Sequence, residues 1–436
     1  MKKVVKGLML ASLLIAGSTS PASAASSNLG KATLASNDGW ASYGKGTRGG
    51  SGADSRHTFT VKNRSEFVRA LSEGGNMPKI VYIEGSIDFN VDENNQPATA
   101  EHYAKKCGYD FNAYLQAYSP EKWGYDKEVS GPLEDARVCA QKEQQKQVVV
   151  NVPSNTSIIG VGKDAKILGG SLNISGVENV IVRNLAFEAP RDFFPQWDPT
   201  DGDQGEWNSE YDNIVVTNGA EHVWVDHNTF SDGRYHDKGF GEYFGRKFQQ
   251  HDGLLDVTNT ASYVTASYNV FQDHDKVSLI GSSDSKTSDR GRLKVTLHHN
   301  YYKNLTQRLP RVRYGEVHVY NNYYEFAKST DYSFQYALGV GKESKIYAQN
   351  NYFSFDYNVP LGNIIKDWKG TSIYEEGSYV KSPAGERQVD LLQETNKENG
   401  TKLDENVGWK PSLYKKINPT QSVPGTVKAQ AGAGKL

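Results

Sequence analysis

The chain has 436 residues, 37% of them apolar and 23% charged, with a formal net charge of −2. This balance excludes a disordered polyelectrolyte and leaves enough apolar surface for a large core. A nearly neutral surface also has no global pull on nucleic acid or any other polyanion, so an anionic partner must meet a local basic site.

Residues 1–24 read as a secretion signal: Lys2, Lys3 and Lys6 precede an apolar run over 7–16 and the small-residue cleavage site Ala22-Ser23-Ala24. The run is too short to span a bilayer and no later segment is long enough. A secreted, extracellular, soluble protein with no membrane anchor is therefore expected, more acidic once three lysines leave with the leader. The remainder, 25–436, is read as one domain. Within 39–90, strand-like stretches at His57–Val61 and Lys79–Ile83 flank a helix near Ser65–Leu71, which suits a cap on an open stack of strands. Residues 91–146 are polar, without strand periodicity, and read as a helical surface excursion. They hold the only two cysteines, Cys107 and Cys139. In an exported chain one disulfide is expected, the alternative being two free thiols.

From Val148 to about residue 356 one nine-residue phrase recurs six times, starting at Asn179, His222, Tyr263, Lys294, Glu316 and Lys345. Its second position is β-branched (Val180, Val223, Val264, Val295, Val317, Ile346) and its fourth apolar, the pattern of a strand with one buried face. Its seventh is Asn in five copies (Asn228, Asn269, Asn300, Asn322, Asn351), read as a turn residue that tolerates left-handed backbone. Its ninth is aromatic in all six. The starts lie 43, 41, 31, 22 and 29 residues apart, a fixed core with variable loops. Stacked coils of short parallel strands about 4.8 Å apart, Asn over Asn and aromatic over aromatic, make an all-β parallel β-helix. An antiparallel sandwich would not keep one residue type at one place in the phrase. Residues 357–436 lose the phrase and are expected to pack along the outside and cap the far end.

Place in the repeat becomes place in space. Lys276 is fourteenth from Tyr263 and Arg308 fifteenth from Lys294, so they share a wall on adjacent coils. Asp212 and Asp252 lie ten and eleven residues before the next phrase, again as neighbours, and Asp256 follows Asp252 on the same strand face. Three crowded carboxylates repel unless a cation lies between them, and oxygen-only ligands favour calcium, although the spacing is not that of an EF-hand. Arg308 and Arg313 join Lys276 as cations, while Arg311 is expected to point away. A positive cleft on a long solenoid wall calls for an anionic polymer; carboxylated sugars fit, and nucleic acid does not, since no basic patch is interleaved with aromatics.

The stretches Trp224-Val225-Asp226-His227, Asp252-Gly253-Leu254-Leu255-Asp256, Asp273-His274-Asp275-Lys276, Arg308-Leu309-Pro310-Arg311-Val312-Arg313 and Phe194 to Gly202 closely resemble the pectate lyases of polysaccharide lyase family 1, particularly the secreted Bacillus type. The resemblance runs from about residue 37 to the C-terminus. It implies a right-handed parallel β-helix that cleaves polygalacturonate by calcium-dependent β-elimination, leaving 4,5-unsaturated ends, with endo action and a monomer expected. Matched by motif, Asp212, Asp252 and Asp256 are primary calcium ligands, and Asp201 helps to hold further calcium when substrate is present. Arg308 is the catalytic base, and Lys276 and Arg313 bind substrate carboxylates. Asp226 lies within the strand phrase and is read as structural. The cysteine pair is not among the family's motifs. Pectin lyase is the nearest rival and would not need the aspartates. A polygalacturonase-type hydrolase would need paired acid and base carboxylates, and its Asn-Thr-Asp, Asp-Asp and Gly-His-Gly elements are missing. A non-catalytic binding solenoid would leave Arg308 unexplained.

Overall fold

Alternation of apolar side chains builds three parallel sheets that wind around one core. The computed structural model describes residues 29–92, 94–328 and 330–436; the leader assigned to 1–24 lies outside them. The first sheet has ten strands, from Thr58–Val61 to Ile373–Glu376. The second has ten, from Ser86–Asp88 to Gly385–Gln388, and the third eight, from Val149–Asn151 to Ile365–Trp368. Neighbours in these sheets pair in parallel except the final hairpin, Tyr379–Ser382 with Gly385–Gln388. The six β-branched residues of the phrase form one row of the first sheet, Val180 beside Val223 and on to Ile346, all buried. The parallel β-helix is the fold.

The phrase's Asn is a ladder rather than the left-handed residue. Asn228, Asn269, Asn300 and Asn322 each donate from Nδ2 to the Oδ1 of the Asn on the next coil, at 3.0–3.2 Å, and also to a carbonyl of the preceding phrase, for example Asn300 to Ala266 O at 3.0 Å. The left-handed turn belongs to the residue before it: His227, Tyr268, His299, Asn321 and Asn350 have φ between 50° and 55°. Splitting the work lets the Asn stay buried and fully bonded. Beside it the aromatic row stacks from Phe187 through Phe230, Phe271, Tyr302 and Tyr324 to Phe353, with centroids 4.4–5.2 Å apart. Asn300→Ala strands donors on Asn269 and acceptors on both sides, so it should destabilise the fold by about 3 kcal/mol, read as a lower melting temperature than Asn218→Ala, which removes one exposed contact to Ser175.

The strands at 58–61 and 79–83 flank a helix, Arg64–Ser72, whose first turn is capped by Asn63 and whose Phe67, Ala70 and Leu71 are buried. These strands are the first two rungs of the first sheet, so the solenoid begins earlier than Val148. It also runs beyond 356. Ile365–Trp368, Ile373–Glu376 and Tyr379–Ser382 continue the coils and add a seventh copy of the phrase, in which Gly377, at φ 74°, replaces the turn residue, Ser378 the Asn and Val380 the aromatic. Its fourth position is Glu375, which accepts from Ser378 N and Leu391 N where the chain turns into the helix Leu391–Asn399. Burial pushes this carboxyl up from 4.5 to about 7. A raised carboxyl is neutral in the fold, so its share of stability is full below about pH 4.5 and is lost as pH rises through 7. Glu375→Gln should flatten the fall in stability over that interval by about 2 kcal/mol, measured as the difference between the two proteins' denaturation midpoints across pH.

Residues 91–146 carry the helices Ala100–Cys107, Phe111–Ala117, Pro120–Trp123 and Pro132–Val148, and Cys107–Cys139 is a disulfide joining the first to the last. This excursion does more than cover the surface. Tyr114 and Tyr118 pack with Trp197, Trp207 and Phe248. Arg137, paired with Glu134 in the interior, donates to Phe194 O at 2.6 Å, and Gln141 O accepts from Tyr211 OH at 2.7 Å. The last helix thus braces the chain immediately before Asp212. Among the described residues no helix is long and apolar enough to cross a membrane.

Candidate active site

The second and third sheets meet where Val270–Lys276 and Tyr301–Gln307 end. Lys276 pairs in register with Gln307, which puts Arg308 one residue further along the same wall, as the repeat count requires. Arg308 has φ 61°, an uncommon conformation for a residue with a Cβ. It is held on both sides: its carbonyl accepts from Ser278 N at 2.8 Å, and Leu309 N donates to Ala337 O at 2.8 Å. Lys276 and Arg308 line a groove of about 550 Å³ together with Asp201, Glu206, Asp275 and Trp368. Asp201 stands exposed at the rim, after the strand Gln196–Asp198 of a two-stranded hairpin with Glu206–Asn208. The Lys276 Nζ is 3.6 Å from Asp252 Oδ1.

The three aspartates gather around Gly253. Strand register sets Ile214 beside Leu255, and Gly253 N donates to Asp212 Oδ1 at 2.7 Å. Asp256 is in the strand Leu255–Val257 and accepts from Leu279 N at 2.9 Å; Asp252 precedes the strand instead of sharing its face. A Cβ on residue 253 would lie 2.6 Å from Asp256 Oδ1 and 2.7 Å from Asp212 Oδ1, so only glycine leaves this cradle open. Burial, then the neighbouring carboxylates, push Asp212 and Asp256 well above the usual carboxylate range. Oxygen-only donors, mutually repelling and opening on a space that a methyl group would fill, fit a hard divalent cation. For Arg308, burial works to lower the pKa, but the charges of Asp252 and Asp256 outweigh it and raise it further.

The pectate lyase family profile matches residues 5–114 and 124–436. A pectate lyase of Bacillus subtilis (strain 168) is 49% identical over 434 residues, 99% of this chain and 100% of that protein. The chain belongs to the pectate lyase family. Among solved structures, a thermostable pectate lyase superposes with a TM-score of 0.91 at 56% identity, covering 94% of this chain and 99% of that one. A pectate lyase bound to a hexasaccharide superposes with a TM-score of 0.88 at 48% identity, covering 94% and 100%.

Other residues singled out in the sequence have partners of their own. Arg313 is bound to Asp284, Nε to Oδ1 at 2.7 Å, and donates to Gly281 O at 2.9 Å. Arg311 lies over the ring of Trp368, 4.3 Å from its centroid, and so does approach the groove wall. Asp226 is buried among Arg183, His227 and Ser267, each within 2.8 Å, a structural role as read from its place in the phrase.

Sequence reasoning missed a second polar cluster behind the aspartates. Among the described residues, Asp232, Asp237 and His251 form the one group of potential ligands whose atoms lie within 4.8 Å of one another. Both ring nitrogens of His251 face carbonyls, Pro190 O at 3.0 Å and Tyr235 O at 2.8 Å, so protein groups engage the ring on both sides. The neighbouring His274 is fully buried; burial works to lower its pKa, but Asp232 raises it to about 9. The signal available in the sequence was the chemistry-bearing His within Asp273-His274-Asp275-Lys276, one strand alternation from Lys276.

Proposed function

We propose that this chain cleaves polygalacturonate by calcium-assisted β-elimination, with Arg308 as the base. Pectate lyase activity on polygalacturonate goes with membership of the family; the assignment of roles is the proposal, and the observation that carries it is the glycine-floored cradle of Asp212, Asp252 and Asp256, with the Lys276 ammonium 3.6 Å from Asp252 and the charges of Asp252 and Asp256 acting on Arg308. The hydrogen on C5 of galacturonate is adjacent to a C6 carboxylate, which resists taking on more negative charge. Asp212, Asp252 and Asp256 would hold calcium, which would supply positive charge to that carboxylate and offset the negative charge that holds Arg308 protonated; burial would then favour the neutral guanidine.

Lys276 turns from Asp252 to the substrate carboxylate. Arg313 is assigned to substrate carboxylates as well, which requires it to share or release Asp284. Arg308 takes the C5 proton, the C5–H electrons form the C4–C5 double bond, and the C4–O bond breaks toward the leaving sugar, whose oxygen takes a proton from water. Asp201, at the rim, is assigned to a further ion held with substrate. Residues 1–24 and the disulfide support secretion as the setting, and a groove along the wall supports cleavage within chains.

The test is ultraviolet absorbance of unsaturated product from polygalacturonate at alkaline pH. A rise that excess chelator abolishes and calcium restores is expected. A rise indifferent to chelator would move the reading to pectin lyase chemistry, and new reducing ends without absorbance would mean hydrolysis.

A further inference from the structure

Behind the cradle runs a chain of hydrogen bonds that ends on Asp252, one of its residues, and on the neighbouring Lys276. Asp237 N donates to Tyr332 OH at 3.1 Å, Tyr332 OH donates to Asp232 Oδ2, and Asp232 Oδ1 accepts from His274 Nδ1 at 2.5 Å. On its other side His274 Nε2 donates to Asp252 O at 2.7 Å and Lys276 O at 3.0 Å. Asp232, His274, Tyr332 and Asp237 are all buried, Asp232 and His274 completely. Every acceptor around the ring is a carboxylate or a carbonyl, so both nitrogens must donate and the ring cannot flip or rotate without losing bonds on both sides.

We infer that His274, oriented by Asp232 and Tyr332, is a positioning residue that clamps the backbones of Asp252 and Lys276 and so sets the separation of carboxylate and ammonium in the cleft. Asp252 O lies at the head of the bend that leads through Gly253 to Asp256, and Lys276 O closes the strand that carries the ammonium. One imidazole N–H shared between these two carbonyls ties the bend of one coil to the strand of the next. Without that donor both segments keep their sheet neighbours but lose the tie that fixes their side chains relative to each other. This rests on the cradle's assignment as the calcium site.

The test compares His274→Gln, which keeps an N–H donor near the Nε2 position, with His274→Asn, whose amide reaches only the Nδ1 position. Calcium is titrated calorimetrically into the metal-free proteins without substrate, beside wild type and Asp252→Asn, and thermal melts are taken on all four. Outer-sphere partners of ligand residues typically change metal affinity by about 10–100-fold. The expected result is a calcium Kd about tenfold weaker in His274→Asn and within about threefold of wild type in His274→Gln, with kcat falling in the same order. Equal calcium affinity in wild type and His274→Asn, with only the melting temperature lowered, would overturn the clamp and leave His274 a packing residue. If Asp252→Asn binds calcium as wild type does, the cradle's assignment itself fails and the clamp with it. Should His274→Asn not fold, Tyr332→Phe decides: it removes one link two bonds away, and an unchanged calcium Kd and kcat there would refute the inference.

Discussion

Arg308→Ala is expected to lower kcat on polygalacturonate by about 10³-fold, within the 10²–10⁴ range usual for removal of a general base, while calcium affinity and melting temperature stay near wild type. The fold has little to lose, because the strained backbone at Arg308 is held by main-chain bonds to Ser278 and Ala337, and alanine also carries a Cβ. The same reasoning fixes the pH profile. The base acts in its neutral form, and Asp252 and Asp256 hold the metal-free guanidinium charged above its ordinary range. Activity at saturating calcium should therefore climb through neutrality into alkaline pH. Arg308→Lys separates base strength from charge. Lysine is the weaker base and loses its proton more readily, so whatever activity the variant keeps should begin its rise at lower pH. Full activity in Arg308→Ala, or a profile that falls above neutrality with the fold intact, would remove Arg308 from the chemistry and leave it only an electrostatic role.

Much of this geometry was legible because the coil repeats. Once the phrase is recognised, counting residues from Tyr263 and Lys294 sets Lys276 beside Gln307 and hence next to Arg308, and the strand register agrees. What the count could not reach lies where the repeat is interrupted or degenerate. The seventh copy of the phrase escaped because Ser378 and Val380 replace the Asn and the aromatic that mark the others, and Glu375 occupies an apolar position, tolerated at the end of the stack where Leu391 N can meet it. The chain from Asp237 to His274 escaped because the partners of His274 come from outside the repeated strands, with Tyr332 a hundred residues from Asp232. Asp284, which engages Arg313, lies outside them as well. The excursion at 91–146 was legible as helical from its composition. Its grip on Tyr211 through Gln141 was not, since one side chain to one carbonyl leaves no periodic trace. Repetition encodes the walls, and the unrepeated loops encode how the site is braced.

Asp256→Asn should invert the order of stability between two conditions. In chelator at alkaline pH the wild-type protein holds Asp212, Asp252 and Asp256 around one glycine, and burial with mutual repulsion pushes the Asp256 carboxyl upward. An acid with a raised pKa stabilises the fold in its neutral form, so the metal-free protein is most stable at and below the ordinary carboxylate range and loses stability as pH climbs through the shifted value. Asparagine keeps an oxygen for Leu279 N and carries no charge, so the metal-free variant should be more stable than wild type at pH 8 by on the order of 2 kcal/mol. In calcium the balance reverses. A ligand that binds only the folded state at 100 times its Kd adds about 2.7 kcal/mol, and that increment belongs to wild type alone, the variant's calcium Kd being expected to weaken by at least about a hundredfold because an anionic ligand to a hard cation is lost. Gly253→Ala should also weaken calcium binding, by a different route, since its Cβ would occupy the space between Asp256 Oδ1 and Asp212 Oδ1. Melts of the three proteins in chelator and in excess calcium decide the matter. Wild type below Asp256→Asn in chelator and above it in calcium is the signature of carboxylates strained in the free fold to receive a cation. An order unchanged by calcium would mean that the three aspartates serve the fold and that the ion, wherever it binds, is held elsewhere.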